Sequence, residues 1–154
     1  MKKVKLFLVI GLVLGMASLS IAAENMRIAT VADIKGTVEA KTGQDNWVPA
    51  TLGMTLKQGD AIRVGKDSSA LLNLDGQAQT ATVTLNANSQ LELAELITDT
   101  DAGSQKTLLD LSLGSILIKA AKLHSEQSSF EVKTPTSMVG VRGTTFAVTV
   151  EAVE

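Results

Sequence analysis

Residues 130–150 read FEVKTPTSMVGVRGTTFAVTV, which is two alternating apolar runs separated by a polar turn and a short arginine-containing element. Alternation of apolar and polar residues is typical of strands that bury one face. Pro135 fixes its own φ and biases Thr134 towards extended backbone, so we expect the first run to end there. Gly140 and Gly143 permit sharp turns or the close approach of another strand. The stretch therefore predicts two strands that return to one core through a corner.

The same short alternating runs fill the chain from residue 26 onward, with turn residues such as Asp75-Gly76 between them. They predict about nine to eleven strands in a single all-β domain. A small β-solenoid, a twisted β-roll and a sandwich all remain open as architectures. We expect a loop over residues 98–105 and a strand break at Gly114. One or two helical turns are expected over residues 120–124.

The N-terminus has the layout of a secretory signal peptide. Lys2, Lys3 and Lys5 precede an apolar segment, and small residues follow over positions 20–23. We therefore predict a signal peptide over residues 1–23 and a periplasmic or secreted domain over residues 24–154. The alternative is an uncleaved segment that acts as a membrane anchor, which would be the chain's only contact with the membrane.

Charge and composition exclude several functional classes. The leader holds three of the 14 basic residues and none of the 16 acidic ones, so the mature chain carries 11 basic and 16 acidic residues, a net charge of −5. A nucleic-acid binder needs clustered lysine and arginine, so we expect no nucleic-acid partner. The chain has no cysteine and one histidine, which removes the strongest zinc ligand sets. We expect neither a metal nor a cofactor.

Catalysis is not expected, because His124 and its neighbour Ser125 make no triad by adjacency alone. The enzymatic alternative is a hydrolase of envelope polysaccharide that uses two carboxylates in a cleft, roughly 5 to 9 Å apart. Its candidate residues are Asp60, Asp75, Glu92 and Asp110.

Arg142 lies between Val141 and Gly143 in an apolar setting. The GxxG that surrounds it lacks the helices of an RNA-binding loop, and no Gly-Lys-Ser/Thr of a phosphate loop is present. We predict instead that Arg142 is a buried structural lock, since a buried arginine must be paired. Asp60 is the first candidate partner and Glu39 the second. On this hypothesis Arg142→Lys lowers the melting temperature by several degrees.

These residues resemble the signature of the FecR domain family. The matching positions are Thr134, Pro135, Val141, Arg142, Gly143, Thr144 and Phe146, with Gly59 and Asp60 in the upstream segment LKQGDAIRVG. The resemblance extends over about residues 30 to 150. It implies an extracytoplasmic all-β domain in which these motif residues are structural. Founding members of the family are membrane-spanning regulators that pass a signal from an outer-membrane transporter to a sigma factor.

Only five residues precede the apolar leader and nothing follows Glu154, so we do not expect sigma-factor regulation here. The leading hypothesis is a non-enzymatic, extracytoplasmic binding or scaffolding module, with another envelope protein or a glycan as partner. The first alternative is a membrane-tethered envelope sensor with an uncleaved anchor, and the second is the hydrolase. Oligomeric state is left open, because exposed strand edges also permit a dimer.

Overall fold

A computed structural model describes residues 24–76, 80–123 and 125–151; the predicted signal peptide and His124 lie outside these ranges. The described residues form strands, turns and loops without a helix, which confirms the predicted all-β class. None of them belongs to a helix long and apolar enough to cross a membrane. The strands are β1 (Glu24–Met26), β2 (Ile28–Lys35), β3 (Val38–Lys41), β4 (Val48–Pro49), β5 (Thr55–Lys57), β6 (Ala61–Val64), β7 (Ser69–Leu74), β8 (Ala81–Leu85), β9 (Ser89–Asp99), β10 (Ser104–Ala120), β11 (Ser129–Lys133), β12 (Met138–Val141) and β13 (Thr145–Val150).

The strands form one sheet that curls into a half-barrel. Its main path runs β4-β3-β6-β9-β10-β8-β7-β2-β5, with β1 beside β9, β11 and β13 beside β10, and β12 beside β11. All neighbours are antiparallel except β10 and β11, which are parallel. The curl lets one face of the sheet enclose a core while the other face meets solvent.

Strand β10 pairs with four of the described strands. Its first half pairs with β9 and β11, and its second half pairs with β8 and β13. The predicted break at Gly114 is wrong: the strand continues through this residue, which has a φ of +91° beside a register shift between Leu111 and Leu113. An added Cβ at Gly114 would collide with the backbone and side chain of Ser89. Glycine is therefore needed here for both its φ and its size.

The core is almost entirely aliphatic, as the scarcity of aromatic residues requires. Every second residue of the central strands points into it, as in β7 and β8, where buried and half-buried positions alternate. The largest fully buried side chains are Phe130, Leu56, Ile62, Leu72, Leu74, Leu85, Leu91, Leu93, Leu96, Leu109, Leu111 and Ile116.

Two further local predictions are wrong. Residues 98–105 are mostly a hairpin, because β9 extends to Asp99 and β10 begins at Ser104. Residues 121–123 are irregular rather than helical, since Ala120 and Ala121 donate backbone hydrogen bonds to Thr144 and Thr80 (3.1 and 2.8 Å) instead of to a helical turn. Pairing with distant segments satisfies these amides better than a short helix, which is costly to nucleate.

The buried arginine of this fold is Arg27, whose side chain is 5% exposed. Its Nε and Nη2 donate to the two carboxylate oxygens of Asp75 at 2.8 and 2.5 Å. Its Nη1 donates to Thr107 Oγ1 at 2.8 Å and to the carbonyl oxygen of Lys106 at 3.2 Å. Thr80 Oγ1 also donates to Asp75. The network joins β10 and the residue before β2 to the turn after β7.

Candidate functional site

The Thr-Pro of the motif forms the turn between β11 and β12. Thr134 is buried and its Oγ1 accepts a hydrogen bond from the Ser137 backbone N–H at 3.0 Å. The Thr134 N–H donates in turn to the Ser137 carbonyl oxygen at 2.8 Å. Pro135 itself is exposed at the tip. The predicted end of the first run at this pair is confirmed by the end of β11 at Lys133.

Asp60 is 1% exposed, and it is not the partner of Arg142 that was predicted. Its carboxylate accepts hydrogen bonds from the backbone N–H groups of Gly43 (3.0 Å) and Lys57 (2.9 Å). The neighbouring Gly59 N–H donates to the Leu93 carbonyl oxygen at 2.8 Å. The Gly59-Asp60 pair therefore ties two loops and β9 together through backbone hydrogen bonds.

The prediction that Arg142 is a buried lock is wrong. Arg142 is exposed, and in the described part of the chain its guanidinium makes no ion pair and no hydrogen bond. Its second candidate partner, Glu39, accepts a hydrogen bond from Arg63 Nε at 2.7 Å. Arg63 also stacks over Trp47, 4.4 Å from the ring centroid. Its apolar neighbour in the sequence did not imply burial, because Arg142 lies in the corner between β12 and β13 (residues 142–144).

The fall in stability expected for Arg142→Lys is therefore no longer predicted. Because no described group depends on the guanidinium, we expect the free energy of unfolding to change by less than about 0.5 kcal/mol, as at other exposed positions. Thermal unfolding of the variant beside the wild-type protein measures this. A fall in melting temperature of several degrees would restore the buried lock.

Gly143 explains how the corner comes to lie where it does. Its φ is +74°, and an added Cβ would lie 2.7 Å from the Cα of Lys122. The missing side chain allows the corner to pack on the segment that leaves β10. On either side of the corner, Val141 pairs with Phe130 and Phe146 pairs with Ile118. Thr144 contributes its carbonyl oxygen to the hydrogen bond from Ala120.

Arg142 in the corner and residues of the segments 121–123 and 125–128 line three adjoining cavities of about 380, 320 and 250 Å³, which we call the motif cleft. All three share Leu123 and Ser128, and Arg142 lines two of them. Lys122 and Arg142 both line the smallest cavity, together with Glu126. The polar side chains that line the cleft are Thr80, Thr98, Asp99, Thr100, Gln105, Lys122, Ser125, Glu126, Ser128, Ser129, Glu131 and Arg142.

Sequence reasoning singled out Arg142 but did not identify the other cleft residues as a site. Lys122 and Ser128 belong to the segment between β10 and β11, where the sequence shows a break in alternation and residues that favour a helical turn, but no pattern of a binding site. Ser128 Oγ accepts a hydrogen bond from the Gln105 N–H at 3.0 Å, so a residue of β10 holds this segment in place. A contact between residues so far apart in sequence leaves no local pattern.

The four carboxylates of the hydrolase alternative do not converge in the cleft. Asp60 and Asp75 are engaged with backbone N–H groups and with Arg27 as described. Glu92 and Asp110 are cross-strand neighbours in β9 and β10, and Asp110 pairs with Lys133 at 3.3 Å. Neither Glu92 nor Asp110 lines the motif cleft. Across the described residues, no group of three or more histidine, aspartate and glutamate side chains is arranged to hold a metal ion.

Comparison with known proteins identifies the family. The family model described as FecR protein matches residues 60–154. The match begins at Asp60, one residue after Gly59, and includes the whole segment from Thr134 to Phe146. The likeness noted over residues 30–59 lies outside this match. No curated protein and no solved structure matches the chain. FecR proteins take part in envelope signalling, and their domains are typically periplasmic. With more than half of its length covered by the family model, this chain belongs to the FecR protein family.

Proposed function

We propose that this chain is an exported, non-enzymatic binding and scaffolding module of envelope signalling. The observation that carries the proposal is the exposure of Arg142 on the motif cleft. The family motif uses Thr134 and Gly143 to build a turn and a corner, yet it leaves its cation directed to solvent. A solvated cation beside a cleft is available for recognition.

The hydrogen bonds of the cleft support recognition rather than chemistry. Asp99 Oδ1 accepts hydrogen bonds from the backbone N–H groups of Asp101 and Ala102, both at 3.0 Å. Thr80 is held between Asp75 and Gln105. The carboxylate that accepts from Thr80 is also paired with Arg27 through both of its oxygens, so it holds the fold together in place of activating a nucleophile.

Export is supported by the layout of the N-terminus, in which three lysines precede an apolar segment and small residues follow over positions 20–23. Sequencing the N-terminus of the protein isolated from cells tests this step: a start at Ala23 or Glu24 supports export, and an intact Met1 favours the membrane-tethered sensor.

Capture of a partner in the envelope tests the binding role. We expect that a C-terminally tagged chain, cross-linked in living cells and purified, retains a reproducible envelope protein or glycan that an untagged strain does not yield. An exported β-domain of similar charge with the same tag is the control for non-specific capture. Failure to recover any reproducible partner under cross-linking would count against the binding and scaffolding role.

A further inference from the structure

Gly140 is the one motif-region glycine that the fold itself does not explain. It lies inside β12, it is absent from the residues with positive φ, and an added Cβ would meet nothing within 4 Å. Glycine weakens a strand relative to residues with a side chain, and in strands it often marks a place where a ligand or another backbone approaches. Gly143, three residues later, is explained by its positive φ and by the close approach of Lys122, whereas Gly140 faces open space.

The strand that carries Gly140 has a free, uncharged edge. Within the described ranges β12 pairs only with β11. Its sequence is MVGV, and Met138 and Val139 are 58% and 37% exposed. Natural sheets usually protect edge strands with charged residues, proline or a covering segment. An unprotected apolar edge is therefore a surface to which a further strand can add.

The residues beside this edge specify the chemistry of such a strand. Alternate residues of a strand share a face, so Met138 and Gly140 lie on the outer side of β12, and Arg142 follows directly after the strand. Gly140 and Arg142 line the same cavity of about 320 Å³, with Leu123 as an apolar wall and Glu131, the cross-strand partner of Gly140, as an acidic one. The absence of any atom within 4 Å of a Cβ at Gly140 leaves room for a large side chain, and Leu123 and Phe130 are apolar residues that line the same cavity. The Arg142 guanidinium presents a planar donor fork that suits a carboxylate.

We propose that β12 accepts an extended segment of a partner protein in which a large apolar residue occupies the space above Gly140 and an acidic residue two positions away binds Arg142. This inference rests on the proposed binding function and names its partner as a strand with the pattern acidic-x-apolar. Main-chain hydrogen bonds to the β12 edge would supply affinity, and the two side chains would supply specificity.

Defined peptides test the proposal. Backbone amide shifts of the ¹⁵N-labelled full-length protein, as purified from the envelope, are followed with acetyl-Lys-Thr-Glu-Thr-Phe-Thr-Lys-amide at millimolar concentration. We expect shifts at Val139, Gly140 and Val141. Replacing the peptide's glutamate by glutamine, or making Arg142→Gln in the protein, should weaken binding by about five-fold, as loss of an exposed ion pair does. Lys66→Gln, an exposed cation outside the cleft, is the matched control and should bind as wild type.

Two variants of Gly140 separate binding from folding. Gly140→Ala should raise the melting temperature by about 1 to 4 °C, because alanine restricts the unfolded chain and meets open space in the fold. Gly140→Val should weaken binding of the peptide by about tenfold by filling that space. Ala147→Val in β13, another edge strand, places the same side chain at an exposed position outside the motif cleft; it is the control and should not affect binding. If Gly140→Val proves unstable, the glutamine peptide and Arg142→Gln still decide the question.

Several results would overturn the proposal. They are the absence of shifts with the glutamate peptide, equal binding of the glutamine peptide, or wild-type binding by Arg142→Gln. If inorganic phosphate produces the same shifts, the surface binds anions in general, and if maltotriose does so, it binds a glycan. Either result would rule out the proposed strand as the ligand. A partner captured in the envelope that still binds Arg142→Gln and Gly140→Val would keep the binding module but move its contact to another surface.

Discussion

Gly114→Val is expected to abolish folding of the domain. The residue has a φ of +91°, which a β-branched side chain does not tolerate, and an added Cβ would lie 2.6 Å from the carbonyl oxygen of Asn88 as well as against Ser89. Ser89 cannot withdraw, because its Oγ accepts a hydrogen bond from the Ser115 N–H at 2.9 Å and donates one to the Ser115 carbonyl oxygen at 3.0 Å. Backbone strain and collision together should cost more than about 4 kcal/mol.

Far-UV circular dichroism and urea unfolding of the purified variants measure this effect. Gly114→Ala is the milder form and should still lose at least about 2 kcal/mol. Gly140→Val, which places the same valine where the space is open, is the matched control and should remain folded. If Gly114→Ala unfolds at the wild-type urea midpoint, then the positive φ and the close approach of Ser89 do not require glycine at this residue.

The second large effect is expected from Arg27→Met. Loss of the guanidinium leaves the carboxylate of Asp75 without its countercharge, with the Thr80 hydroxyl as its remaining described donor, and removes the donor to the Thr107 hydroxyl, all in a largely buried setting. Removing one partner of a buried ion pair typically costs about 3 to 5 kcal/mol. Since the network joins β10 to the turn after β7, its loss should also reduce cooperativity between the two halves of the sheet.

Urea unfolding of Arg27→Met, Asp75→Leu and the double variant measures the coupling between the two side chains. The double variant should be more stable than the sum of the single losses predicts, because it leaves no buried charge unpaired. Arg63→Met removes the half-exposed pair with Glu39 and should cost only about 1 kcal/mol or less, even with the loss of stacking on Trp47. If Arg27→Met and Arg63→Met lower the free energy of unfolding equally, the buried pair does not stabilise the fold more than the half-exposed pair.

The candidate site was predictable only in part. The motif residues Thr134 and Gly143 could be assigned to a turn and a corner because proline and glycine restrict the backbone locally. The environment of Arg142 could not be predicted, since its burial depends on which face the corner turns to solvent. The acidic residues nominated for it are used elsewhere: Asp60 binds backbone N–H groups, and Glu39 binds Arg63. Asp75 was considered only as a possible catalytic acid, and its true neighbour, Arg27, lies 48 residues away.

The amino-acid sequence by itself determined the all-β class, the alternation that builds the core, and membership of the FecR family. These depend on near neighbours along the chain: side chains of a strand alternate with a period of two, and turn residues constrain their own φ and ψ. Tertiary structure alone decided which arginine is buried, why β10 continues through Gly114, and where the motif cleft opens. Those outcomes depend on strand register and on the curl of the sheet, which bring together residues that share no local pattern.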